Sequence, residues 1–325
     1  MKVTIIQSKG QVSMEITLVI ASILIFLPSI IWYLLKQAHS PWWLENTFTT
    51  PFIVLPIYIV LMFVLISLLS WQDCLGYLLI NFIVALCLNS NGSFNNKTCV
   101  DPVSFFQFNI KYHEGENELA ELIAHLIAEH YHLITLQGVS QQAKRQLIVQ
   151  LTPYFPYFVS GESQRQQIFS DQLLFSRYPF THIKYYKSGH SAFLITSRWQ
   201  LPFNEINLLT LHPPSPRNEK LWQTRNKTLY QLKQSLKTTP LTKSLVIGDL
   251  NLSKHSRRMD KLMEGMKTEF VNSWPNIPYS LPVFGLAIDH FWLSAPESIC
   301  SRQRISQFSW SDHYAVKTQV DFSKE

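Results

Sequence analysis

Five short segments place oxygen and imidazole side chains directly after apolar runs. They are Phe108-Asn109-Ile110, Thr210-Leu211-His212-Pro213-Pro214, Gly248-Asp249-Leu250-Asn251, Ile288-Asp289-His290 and Ser311-Asp312-His313. Groups of this kind at the ends of buried strands stand on a rigid scaffold where a ligand can reach them. Carboxylates and amide oxygens with no cysteine nearby suit a hard divalent cation, magnesium or manganese, which takes oxygen ligands and keeps several waters. Imidazoles beside carboxylates suit proton transfer or charge-assisted contacts near neutral pH. Each segment alone is weak evidence, since Asp after Gly is ordinary turn chemistry. The series carries the signal.

The elements that must position these groups alternate between strand and helix. Residues 103–110 have the bulk of a buried strand, and residues 116–130 repeat apolar positions at helical spacing with Glu in the first turn. Residues 131–136 read as a strand, 141–151 as a helix, and 168–175, 192–196 and 206–211 as strands. A helix over 219–236 follows, then strands over 244–247, 289–293 and 314–320. Strands outnumber helices and several are adjacent in sequence. That order predicts two packed sheets flanked by helices rather than a purely parallel sheet.

The first third of the chain is of another kind. Of 325 residues only 15% are charged and 46% are hydrophobic, with a mean hydropathy of +0.03, against ~25% charge in a typical soluble chain. This excludes a disordered protein and argues against an ordinary cytosolic enzyme. The deficit is local: residues 1–94 hold three lysines and three acidic residues, so the net +6 lies beyond them. Residues 16–35 and 52–70 are runs without a charge, and 74–88 is a shorter third. A membrane-spanning helix takes ~20 apolar residues. The expected organisation is a membrane anchor over 1–94 with three transmembrane helices, a polar linker over 95–102, and a catalytic domain over 103–325. Lys2 and Lys9 before the first run lean towards a cytoplasmic N-terminus, so the domain is expected outside the cytoplasm, at the plasma or inner membrane. Cys99 and Cys300 would then be free to pair, although their spacing does not demand it.

The five segments, with Leu136-Gln137-Gly138-Val139 and Leu174-Phe175-Ser176-Arg177-Tyr178-Pro179 between them, resemble the endonuclease/exonuclease/phosphatase family of metal-dependent phosphoesterases. The resemblance covers about residues 103–321, and the apolar N-terminus is similar to a bacterial membrane-anchored branch. It implies an α/β fold, a four-layer αββα sandwich, with the site at one edge of two packed sheets. It also implies that Asn109, Asp312 and Asp249 hold magnesium or manganese. Asp249 and Asn251 would orient water or phosphate, His313 would serve proton transfer with Asp289 holding its ring, and His212 would be a second imidazole on the phosphate. One departure matters. The family's metal-binding Glu is Gly138 here, and two residues after Asn109 stands Lys111, whose amine competes with a cation rather than binding it. Glu114 or Glu116 in the following loop, or an added water, would have to fill the gap. Restoring the carboxylate by Gly138→Glu is then expected to tighten metal binding.

The reading that results is a membrane-tethered, metal-dependent phosphoester hydrolase acting on lipid or lipid-linked phosphate, impaired by the loss at Gly138. The partners expected are the lipid bilayer and the phosphoester substrate, with no protein partner. A tethered nuclease is the alternative, less favoured because no basic stripe with interleaved aromatics is visible. A binding module that has lost its metal is the other. His125, His130 and His132 read as surface or satisfied histidines, and the prolines after His212 as a stiff turn.

Overall fold

The computed structural model describes residues 40–49 and 101–322 apart from 164–166, 189–190, 239–242, 278–284 and 295–297, together with Val19, Ile23, Ile30, residues 33–35, Val60, Leu79 and Cys99. Contacts divide the chain into Met1–Ser90 and Asn91–Glu325. The three apolar runs lie almost wholly outside the described residues. Among those described, no helix is long and apolar enough to cross a membrane. A short helix, Trp42–Phe48, lies between the first two runs.

In the second unit the strands are β1 Val103–Asn109, β2 Leu133–Gln137, β3 Tyr157–Val159, β4 Glu162–Ser163, β5 Ile168–Phe169, β6 Leu173–Ser176 and β7 Phe180–Ser188, then β8 Ser191–Leu201, β9 Asn204–Leu211, β10 Ser244–Asp249, β11 Met266–Thr268, β12 Asp289–Ser294, β13 Ser298–Ile305 and β14 Ala315–Asp321. The helices are α1 Glu116–Ala128, α2 Gln141–Leu151, α3 Glu219–Thr238 and α4 Arg257–Leu262. One sheet has the order β13-β14-β1-β2-β6-β3; the other runs β11-β12-β10-β9-β8-β5-β4, with β7 also on β8.

Side-chain alternation along the strands sorts the core into three slabs. On β1, Phe106 and Phe108 face Leu119, Leu122 and Leu126 of α1 and Leu147 of α2. Phe105, just before them in sequence, points the other way, among Leu133, Trp199, Leu245, Ile247 and Phe291. On the far side Val246 and Trp292 pack with Leu229 and Leu232 of α3 and Met259 of α4. Helices, sheet, sheet and helices follow one another, so the expected α/β sandwich is the architecture found. The buried Trp199 indole is satisfied between the sheets, donating to Ser176 Oγ at 2.7 Å.

Several elements differ from the sequence expectation. The strand expected over 168–175 is two strands in two sheets, because Ser170-Asp171-Gln172 interrupts it where the chain crosses over. Strands β7 and β13 were not foreseen. β7 is half exposed with no alternation to betray it. β13 closes one edge of its sheet and is polar, as edges usually are.

Candidate active site

Topology brings the chemistry to one edge. β1 and β2 are parallel, as are β9 and β10, so Asn109, Gln137, Leu211 and Asp249 all end their strands on the same side. The antiparallel partners start there: Asp289 opens β12 opposite Asp249, and His313 lies two residues before β14, which pairs with β1. Gly248 permits the closest approach. A Cβ there would stand 2.0 Å from the Leu211 carbonyl oxygen, so only Gly lets β9 bring His212 beside Asp249.

Asp249 is the hub. Its carboxylate, 1% exposed, has His212 Nε2 and His313 Nε2 each 3.7 Å from Oδ2. Asn109 Nδ2 donates to the same oxygen at 2.9 Å and lies 3.4 and 3.5 Å from the two imidazole nitrogens. The Asn251 backbone N–H donates to Oδ1 at 2.8 Å. Each ring is held from behind by a carboxylate: His313 Nδ1–H donates to Asp289 Oδ2 at 2.7 Å, and His212 Nδ1–H to Asp171 Oδ2 at 2.9 Å. The Asp289–His313 pairing is the one expected. Asp171, which also accepts from the Tyr112 hydroxyl, was not. It sits between two apolar pairs at a strand start, the same signal as the other segments, hidden inside what reads as one continuous strand.

The electrostatics follow from this packing. Burial works to deprotonate both rings, but the carboxylates behind them, together with Asp249, outweigh it and raise His313 and His212 to about 9. Burial would raise Asp289, yet His313 and the Ser273 hydroxyl reverse the direction and hold it below the usual carboxylate range. Asp249 goes the other way. Its burial and the Asp289 charge push it up, against the pull of the two imidazoles. The site therefore presents two cationic N–H groups flanking a carboxylate of raised basicity.

The remaining residues of the expected set are near but differently engaged. Asn251 has a left-handed backbone, φ 47°, and spends its amide on the Pro213 carbonyl at 3.0 Å, tying the β10 loop to the segment after His212. Asp312 turns away from Asp249. Its Oδ2 takes the Lys111 ammonium at 2.6 Å and the Trp274 indole N–H at 3.3 Å. Behind the site, Arg302 on β13 donates to the Asp289 carbonyl at 2.9 Å, a buried support that a polar edge strand does not announce.

Residues 106–313 match the family model described as Endonuclease/Exonuclease/phosphatase family. The chain belongs to this family. No curated protein matches it, but solved structures share its fold. Zebrafish TDP2 in complex with a single-strand DNA product is 17% identical with a TM-score of 0.55, over 68% of this chain and 100% of that one. An endonuclease/exonuclease/phosphatase of Beutenbergia cavernae is 13% identical, TM-score 0.52, over 68% of this chain and 71% of that one. A beta toxin variant of Staphylococcus aureus with bound magnesium ions is 12% identical, TM-score 0.52, over 67% and 99%. At these identities the likeness is one of fold.

Membership in the endonuclease/exonuclease/phosphatase family raises the question of a divalent cation. Among the described residues Asp249, Asp289 and His313 each offer a ligand atom, all within 4.8 Å of one another. The fit to magnesium or manganese is poor. His313 takes Asp289 Oδ2, and although Asp289 Oδ1 and Asp312 Oδ1 are buried without a partner, they are two lone carboxylate oxygens where such ions want near-octahedral oxygen coordination. The set expected from the family fits no better. Asn109 Oδ1 accepts the Lys111 amide at 2.9 Å, Asp312 carries the Lys111 ammonium, and neither Glu114 nor Glu116 joins the group. The geometry also argues against the expected repair at Gly138. Its φ is +60°, and a Cβ would meet Asn109 Oδ1 at 2.6 Å and the Lys111 amide nitrogen at 3.0 Å. A side chain here displaces the site instead of completing it.

Proposed function

We propose that this chain is a membrane-tethered phosphoester hydrolase acting on a lipid or lipid-linked phosphate. The observation that carries the hydrolytic reading is Asp249 set between two imidazoles, each fixed by its own carboxylate. In this reading Asp249, its basicity raised by burial, takes a proton from the attacking water as the new P–O bond forms. The Nε2–H of His212 donates to a phosphoryl oxygen, and His313 gives its Nε2 proton to the leaving oxygen as the ester P–O bond breaks. Asn109 holds the Asp249 carboxylate, and Asp289 and Asp171 keep the rings oriented.

The tether rests on the uncharged runs of 20 and 19 residues and the third of 15, close to the length a bilayer span requires. An extracytoplasmic domain at the plasma or inner membrane is supported by the Cys99–Cys300 disulfide, since such bonds persist in oxidising compartments. A tether keeps the site near the bilayer, which favours a lipid-borne phosphoester over a freely diffusing one.

The test uses the full chain in detergent micelles against sphingomyelin, phosphatidylglycerol, an isoprenoid pyrophosphate and single-stranded DNA. Each arm is run with magnesium, with manganese and with chelator. Hydrolysis of a lipid substrate that Asp249→Asn abolishes is the expected result. Cleavage confined to DNA would make the protein a tethered nuclease. Turnover of nothing would make it a binding module.

A further inference from the structure

We propose that the Lys111 ammonium, seated on Asp312, stands where the family's divalent cation would act, so that this site binds the phosphoryl group without metal. The inference rests on the site being a phosphate site, and three observations carry it. The first is the pairing itself: Lys111 Nζ lies 2.6 Å from Asp312 Oδ2, with Trp274 Nε1 on the same oxygen, so the carboxylate expected to hold a cation already holds one. The second is the backbone. Lys111 and Tyr112 are consecutive non-glycine residues in the left-handed region, φ 50° and 58°, a conformation disfavoured for side-chain-bearing residues and concentrated at functional sites. It is held by two bonds, the Lys111 amide to Asn109 Oδ1 at 2.9 Å and the Tyr112 amide to the Gly138 carbonyl at 2.5 Å. The third is Gly138. Its missing Cβ is the space in which the Lys111 backbone and the Asn109 amide meet.

The two departures from the family pattern thus explain each other. A Glu at 138 would crowd the turn that carries Lys111. With Lys111 in place, the carboxylate that Glu would have supplied has no cation to bind. The Lys111 side chain is 61% exposed and Asp312 34%, so the charge remains open to an incoming anion while its partner anchors it. Asn109 joins the two parts of the site: its Oδ1 accepts the Lys111 backbone amide, and its Nδ2 donates to Asp249 between the imidazoles of His212 and His313. A phosphoryl group would then meet the Lys111 ammonium together with imidazole N–H donors. In the hydrolytic step Lys111 exchanges no proton: water adds to phosphorus, Asp249 takes the water's proton, His313 protonates the departing oxygen, and the ammonium offsets charge.

The test is phosphate binding and turnover by the full chain in detergent after exhaustive chelation. Inorganic phosphate is titrated by calorimetry, manganese binding is followed by electron paramagnetic resonance, and hydrolysis of bis(p-nitrophenyl) phosphate is measured beside them. Metal-free protein is expected to bind phosphate, and Lys111→Met to weaken that binding at least about tenfold, the value of a charge-assisted contact. Magnesium should not restore the loss. Lys111→Asp, which frees Asp312 and adds a carboxylate, should gain a manganese signal that the natural protein lacks. Phosphate binding that needs metal, or a strong manganese signal in the natural protein, would overturn the inference while leaving a metal-dependent hydrolase intact. Metal-free phosphate binding that depends on Lys111 but comes with no hydrolysis would uphold the inference and sink the hydrolase reading.

Discussion

Gly138→Glu is the substitution that family comparison recommends and that the structure forbids. At φ +60° an L-residue loses about 1–2 kcal/mol relative to Gly. The new Cβ lies 2.6 Å from Asn109 Oδ1 and 3.0 Å from the Lys111 amide nitrogen. The second neighbour is backbone, so Asn109 must yield. Its rotation breaks the bond from the Lys111 amide and the one to Asp249 Oδ2, and the latter, to a buried carboxylate, is worth about 1.5–3 kcal/mol. The expected loss is therefore about 3–5 kcal/mol, or on the order of 10 °C in melting temperature for a domain of this size. Thermal unfolding of the full chain by near-ultraviolet circular dichroism measures it, with kcat/KM on bis(p-nitrophenyl) phosphate beside it. Gly138→Ala is the control that separates geometry from charge, and both variants should fall together. If Gly138→Glu melts within a degree of the natural protein, or gains magnesium-dependent turnover that Gly138→Ala does not, the reasoning is refuted.

Asp289→Asn should cut kcat by about 10²–10⁴-fold with little change in phosphate affinity, because it leaves His313 in place but unheld. Its basic limb should move to lower pH, since Asp289 is what raises His313 to about 9; a pH–rate profile reads both. His290 is buried, donates to the Leu252 carbonyl and is lowered to about 4 by loss of solvation. Because the unfolded chain binds its proton near 6.5 and the folded one does not, stability is full above 6.5 and falls by about 3 kcal/mol as pH drops to 4. In His290→Gln the acid limb of a stability profile should be shallower. The buried Lys144 ammonium donates to the carbonyls of Ser160 and Ser170 and to Glu162. Lys144→Met should cost about 2–4 kcal/mol in thermal unfolding by stranding those acceptors next to Asp171.

The candidate site was readable where residue type and strand end coincide. Asn109, His212, Asp249, Asp289 and His313 each terminate or precede an apolar run, and sheet topology alone then gathers them. Asp171 escaped because Ile168–Phe169 and Leu173–Ser176 read as one strand, and nothing local says that the chain changes sheets there. The role of Asp312 was misplaced for a different reason. A carboxylate reads as a cation ligand in sequence, and only the turn at Lys111 and Tyr112 shows which cation it holds. Gly138 makes the same point. Its residue type announces a missing Glu, whereas its backbone angle shows that none would fit. Arg302 and Lys144 lay beyond reach because each is fixed in large part by backbone carbonyl oxygens, which carry no residue-type signal.

The disulfide makes most of the domain a covalent ring. Cys99 lies just ahead of β1 and Cys300 on β13, 201 residues later. Asn109, Asp171, His212, Asp249 and Asp289 fall inside the ring, while Asp312 and His313 belong to the tail that leaves it. A protease that cuts any one peptide bond within the ring opens it into a linear chain and releases nothing: N-terminal segment, both sheets and tail stay joined through sulfur. A nicked molecule would run at full mass until reduced, and would separate into two pieces afterwards. Under the tethering proposed above, a single cut in the ring would therefore leave the site residues attached to the N-terminal segment.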